Sequence, residues 1–181
     1  MRNQGRLYWA LVALQLLILL AMIGKQLWIL DSGSRIKLRC RPVDPRSLFS
    51  GDYVILNYEI SELGRRKQRS SLKHGDASFE AYDKVYVALE KEQGFHRAVA
   101  FAKTLEELKP EHDLVIRGRV RRYNDWSFSI RYGVEAFFVP QFAGKILERE
   151  MQKVSVELAL MENGESAIAK VFIEGQEVEF H

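Results

Sequence analysis

Residues 7–23 read LYWALVALQLLILLAMI, and Gln15 is the only strongly polar side chain among them. Gly24, Lys25 and Gln26 interrupt the run, and Leu27, Trp28, Ile29 and Leu30 resume it. A helix rises about 1.5 Å per residue, so about 20 apolar residues cross a hydrocarbon core of about 30 Å. A nearly unbroken apolar run leaves no polar face, which sets an ordinary surface helix aside. The stretch therefore predicts a transmembrane helix whose partner is the lipid bilayer, through residues 7–30. A cleaved signal peptide has a shorter apolar core and a small-x-small cleavage site. Trp28-Ile29-Leu30 sits where that site is expected, and Ser32-Gly33-Ser34 is a weak substitute. The reading is an uncleaved signal anchor.

Arg2 and Arg6 precede the helix, and basic residues stay on the cytoplasmic side. This orients the N-terminus to the cytoplasm and the C-terminal domain to the extracytoplasmic side. Lys25, Arg35, Lys37, Arg39 and Arg41 make the far flank basic too, but long domains translocate largely regardless of charge. Tyr8 and Trp9 at one end and Trp28 at the other fit aromatic belts. The chain thus divides into an N-terminal stub with its anchor (1–30), a polar linker (31–34) and a folded domain (35–181).

The domain is long enough for one hydrophobic core and too short for two comfortable ones. The formal net charge of the 181 residues is +3 and the pI is about 9.0. That mild excess suits anionic headgroups, and it is too scattered to indicate nucleic acid. The lone cysteine, Cys40, excludes an internal disulfide and zinc sites of the two- or four-cysteine kind. It lies in the alternating stretch IKLRCRPV and reads as a half-buried packing residue.

Beyond the linker the patterning is that of strands. Residues 35–43 alternate Ile36, Leu38 and Cys40 against Arg35, Lys37, Arg39 and Arg41. Pro42 and Pro45 enclose a turn, in which Asp44 caps a single helical turn opened by Pro45. Residues 53–60, YVILNYEI, are apolar on both faces at their start and predict a central strand. Residues 61–78 are polar and basic and predict a long exposed loop. Strands follow at 84–90 and 95–101, joined by a hairpin-like loop, and at 114–123 and 128–138, the last bent at Gly133. Thr104 and Glu107 form a capping box for a short helix over 104–108. Residues 140–151 predict the main helix of the domain, with Pro140 at its first position. Strands 153–160 and 166–173 flank Asn163-Gly164, the strongest hairpin turn in the chain, and 177–180 adds a short extension. The fold class is therefore mainly β with one N-terminal transmembrane helix and one short late helix, barrel-like or sandwich-like.

Residues 51–58, GDYVILNY, match the pattern GDYxxLxY letter for letter, and Val43-Asp44-Pro45-Arg46 stands just before them. A second block runs from Tyr132-Gly133-Val134-Glu135 to Phe138-Val139-Pro140. In these residues and in its apolar N-terminal segment the chain resembles the bacterial GDYXXLXY family, over most of residues 39–172. The resemblance implies no defined activity. Such proteins are similar to ones found beside or joined to multi-span membrane proteins, which implies a multi-span partner within a membrane complex.

The motif has a physical reading of its own. Gly51 admits the positive φ of a sharp turn, and Asp52 accepts a backbone N–H in it. Tyr53, Leu56 and Tyr58 supply packing with phenol ends that reach polar partners. The motif reads first as a structural corner. A ligand or partner site would draw on Asp44, Arg46, Gly51, Asp52, Tyr53, Tyr58 and Glu135.

Catalytic sets are thin. A membrane helix followed by a β domain with a Gly-Asp-x-Val sequence resembles signal-peptidase-type hydrolases, which pair a Ser with a Lys base. Ser47 or Ser50 and Lys84 are the candidates, but the Ser-Met pair of that family is missing, and Asp83 favours a charged Lys84. His74, His96, His112 and His181 lack metal spacing. Glu135 and Glu148 make a carboxylate pair only if the late helix folds back onto its strand. No glycine pattern resembles a phosphate loop, and no cofactor is expected. Arg117, Arg119 and Arg121 share one strand face, suited either to acidic cross-strand partners or to an anion. The sequence thus indicates an anchored extracytoplasmic domain that binds or supports a membrane component, with a membrane-bound Ser/Lys hydrolase as the competing reading.

Overall fold

The structure, a computed structural model, describes residues 2–41, 53–63, 73–74, 79–123, 128–138 and 153–178. One helix, α1 (Arg2–Ser32), is followed by eleven strands among the described residues. The helix passes through Gly24 without a break and runs on through Ser32, so the first half of the expected linker is helical and Ser34 already belongs to a strand. From Tyr8 it is long and apolar enough to cross a membrane, and its apolar side chains stay exposed as far as Trp28.

Two main sheets and one strand pair enclose a shared core. The first sheet has the order β1-β9-β10-β11, from β1 (Ser34–Arg39), β9 (Val154–Leu160), β10 (Ser166–Ile173) and β11 (Gln176–Glu177). The second has the order β3-β5-β4-β6-β7, from β3 (Lys73–His74), β4 (Lys84–Glu92), β5 (Phe95–Ala102), β6 (Val115–Tyr123) and β7 (Phe128–Arg131). The pair is β2 (Tyr53–Ile55) with β8 (Ala136–Phe138). Pairing is antiparallel except between β3 and β5.

Alternation decides which side chains enter the core. Ile36 and Leu38 of β1 and Cys40 just after it are buried, as are Val154, Val156 and Leu158 opposite, and Val85, Val87, Ile116 and Val120 from the second sheet. Phe79, Phe101, Tyr123 and Phe128 meet as an aromatic cluster, with centroids 5.0–6.0 Å apart and tilted or edge-on rings. Gly118 leaves room for the neighbouring Ile130 and Tyr132 side chains. A Cβ there would lie 2.5 Å from the Ile130 side chain and 3.1 Å from the Tyr132 ring.

The sheets curl toward each other at three places. Cys40 bridges to Tyr58, and Glu62 bridges to Ser129, so the motif segment ties the first sheet to β7. The Lys37 N–H donates to His96 Nδ1 over 3.0 Å, linking β1 to β5. The Arg117 N–H donates to the Gly164 carbonyl at 2.8 Å, which seats the β9–β10 turn on β6.

Several expectations change. The strand read over 53–60 is short: β2 ends at Ile55, and Glu59–Ser61 form a 3-10 turn. It is not central, because its ladder is a two-stranded pair with β8. The period-two burial of Val54, Leu56, Tyr58 and Ile60 nonetheless continues past the ladder, since the core, not sheet pairing, sets it. The strand read over 128–138 is two strands separated at Gly133. Residues 104–108 form turns, not a helix; Thr104 Oγ1 bonds the Glu107 carboxylate at 2.6 Å in place of capping a backbone N–H. Of the predicted loop 61–78, Ser61 and Leu63 are buried, and residues 73–74 form β3. The late helix over 140–151 and the Pro45 turn lie outside the described residues.

The joint between α1 and the domain is built from named contacts. Ile29 is buried against Ala159 and Ala167, with Leu30 and Met161 beside them. Lys25 Nζ donates to Glu165 Oε1 at 2.8 Å, and Arg117 Nη2 reaches the same oxygen at 2.9 Å. Arg35 Nη2 bonds the Leu30 carbonyl at 2.6 Å. Gly33 makes the turn possible, because a Cβ there would sit 2.6 Å from the Ile29 carbonyl and 2.9 Å from the Leu160 nitrogen.

Candidate functional site

The motif region and the β7–β8 corner are built against each other. Leu56 N–H donates to the Glu135 carbonyl at 2.7 Å. The Tyr58 hydroxyl donates to the Val134 carbonyl, and the Tyr132 hydroxyl donates to the Ile60 carbonyl at 2.7 Å. The two tyrosines are thus reciprocal bolts, each crossing to the other segment. Tyr58 is fully buried and Tyr132 nearly so. Burial pushes both phenols well above their ordinary range, and the Glu135 carboxylate adds to this. For Tyr58, the neighbouring Cys40 adds as well.

Glu135 is a structural acceptor. Its Oε1 takes the Tyr132 N–H and its Oε2 takes the Gly133 N–H at 2.9 Å, so both oxygens fold the corner back on itself. Glu148, the other member of the expected carboxylate pair, lies outside the described residues. Asp44, Arg46, Gly51 and Asp52 also lie outside them. Tyr53 pairs through its backbone with Phe138 at the start of β2. Among the expected site residues the structure therefore brings together the Tyr53 backbone, Tyr58 and Glu135, and gives the last two a fold-holding task.

This corner forms one wall of a half-open cleft of about 430 Å³. Ile55, Leu56 and Asn57 line it from the motif, Ser61 and Glu62 from the 3-10 turn, and Arg121, Ser129 and Arg131 from β6 and β7. Ser61 is buried, and its hydroxyl meets no protein partner among the described residues. Sequence reasoning picked out Arg121 but missed Arg131 and Ser61, because only the β6–β7 pairing and the bend after Tyr58 bring them near the motif.

β6 carries four arginines, and the three that alternation assigned to one face diverge. Arg117 is paired with Glu165, as the acidic-partner reading expects. Among the described residues Arg119 reaches the Tyr82 carbonyl, at 3.5 Å. Arg121 meets no carboxylate among the described residues.

Cys40 is buried, and burial pushes its thiol up to about 12, with Glu59 adding to it. That is the environment of an inert packing cysteine. Lys84 is exposed at the start of β4. A lysine base for a serine needs desolvation, which that position does not provide. Ser47 and Ser50 lie outside the described residues. His96 packs between strands and His112 approaches Glu90 at 3.7 Å. No group of metal-ligating side chains occurs among the described residues.

One family model, the GDYXXLXY protein, matches residues 15–171 of the chain. The chain belongs to the GDYXXLXY family. The matched region begins inside α1 and ends in β10, so the helix–domain joint falls within it. No curated protein and no solved structure matches the chain.

Proposed function

We propose that this GDYXXLXY protein is a single-span bacterial membrane protein that acts as a binding or accessory component of a membrane complex. Its N-terminus is cytoplasmic and its domain extracytoplasmic, in a periplasmic setting. The observation that carries this reading is the joint. Ile29, Lys25 and Gly33 fasten the last turns of a lipid-length helix to the β9–β10 hairpin. A tether that only retained a soluble domain would need no such fastening. A fixed domain presents one face to a neighbour in the same bilayer, and a multi-span protein is the partner that fits.

Three measurements test the proposal. Alkaline carbonate washing leaves the full-length chain in the membrane pellet. Added protease digests the domain only from the extracytoplasmic side. Crosslinking in intact membranes yields one discrete partner band, and Asp52→Ala or Tyr53→Ala in folded protein weakens it. Release by carbonate, or a diffuse crosslinking pattern indifferent to both substitutions, overturns the proposal.

A further inference from the structure

We infer that the cleft between the motif and the β6–β7 edge binds a small phosphate-class anion that carries a hydrogen-bond-donating arm, of the phosphoethanolamine type.

Charge placement carries the inference. Arg121 and Arg131 both line the cleft, both are exposed, and neither meets a carboxylate among the described residues. Register makes their surroundings more cationic still. Arg131 stands opposite Arg119, and Arg119 stands opposite Lys84, so three cations form one cross-strand row. Like charges facing each other across a ladder are destabilising. The neighbouring Arg117 has its carboxylate in Glu165 of the β9–β10 turn, so the fold supplies a partner to an arginine where only stability is at stake. Arg121 is the extra residue where the register shifts between Val120 and Arg122. Bulges of this kind re-aim side chains.

The size and the remaining polar groups narrow the ligand. About 430 Å³ holds much more than a bare ion and falls within the usual range of small-molecule sites. Planar guanidinium groups match phosphate oxygens in forked pairs. The Ser61 hydroxyl supplies a further buried donor. Glu135 is already occupied by two backbone N–H groups, which leaves Glu62 as the available carboxylate of the lining. A bare anion is repelled by Glu62, whereas an ammonium or hydroxyl on the same ligand is attracted to it.

The test uses full-length protein in neutral detergent at low salt, titrated calorimetrically with phosphoethanolamine and, separately, with inorganic phosphate. Both bind saturably, phosphoethanolamine more tightly. Arg121→Gln and Arg131→Gln each weaken binding about tenfold, the loss of one charge-assisted contact. Glu62→Gln narrows the gap between the two probes. Phosphoethanolamine also raises the melting temperature of the unsubstituted protein, a readout that needs no variant.

Phosphatidylcholine nanodiscs with and without phosphatidylethanolamine separate the sources. Weaker binding of the free probe in the presence of phosphatidylethanolamine identifies a headgroup ligand, and equal binding identifies a soluble one. No saturable binding and no melting shift overturns the inference, as does unchanged affinity in folded Arg121→Gln/Arg131→Gln protein. Because the assay needs no partner protein, its failure is distinct from failure of the accessory role.

Discussion

Removing one oxygen from Tyr58 leaves the Val134 carbonyl buried without its donor. An unpaired buried polar group costs about 1–3 kcal/mol, so Tyr58→Phe lowers unfolding stability by that amount. Tyr132→Phe does the same through Ile60, and denaturant midpoints of the two variants check both. Gly118→Val is a second residue-scale prediction. The new side chain collides with Ile130 and Tyr132 and costs about 1–3 kcal/mol of overpacking. Restored stability in a compensating Ile130→Ala background identifies the cause. The last tyrosine of the motif thus explains itself by what it holds, and its identity matters through one hydroxyl. That much was foreshadowed by a phenol on the apolar face of an alternating run; its partner, 76 residues away, was not.

Among the elements, the β9–β10 hairpin has the most to hold, because it receives α1 on one side and β6 on the other. Glu165 sits between Lys25 and Arg117, and the Lys25 hydrogen bond, then that of Arg117, holds its carboxyl below the usual range. Glu165→Ala removes both contacts and lowers the unfolding free energy by about 1 kcal/mol, with a partly exposed pair setting the modest size. Faster proteolysis between helix and domain in that variant reports the loosened joint.

The β1–β5 contact adds a pH dependence. Burial holds the His96 imidazole below its ordinary range, with Lys91 adding to this and the Lys37 backbone opposing it. A lowered folded value means that the stability is present above the ordinary value near 6.5 and is lost as pH falls through the folded one. Replacing His96 by Gln, which keeps an acceptor, flattens that acid limb in a stability-versus-pH series.

At the scale of the molecule, one core joins the sheets, so buried acids of high pKa act on the whole fold. Cys40, Tyr58 and Tyr132 are all raised, Cys40 from 9.0 to about 12 and the phenols from 10.0 upward. The unfolded chain releases these protons first, so stability is complete below about pH 9 and declines as pH rises through the folded values. Alkaline unfolding followed by circular dichroism shows a cooperative base transition, and Cys40→Ala moves its onset upward. A thiol reagent at pH 8 leaves Cys40 unlabelled until denaturant is added.

The sequence by itself determined the long apolar N-terminal helix, the β class, the hairpin at Asn163-Gly164 and the inward face of β1. Each of these depends on local periodicity, or on turn chemistry within a few residues. Tertiary structure decided that α1 continues into a fastened joint and that β2 is short. It decided that Glu135 spends its carboxylate on its own corner, and that Arg131 and Ser61 share a cleft with Arg121. Those outcomes depend on groups far apart in the chain competing for the same space and hydrogen bonds, and that competition is resolved only when the sheets close on one core.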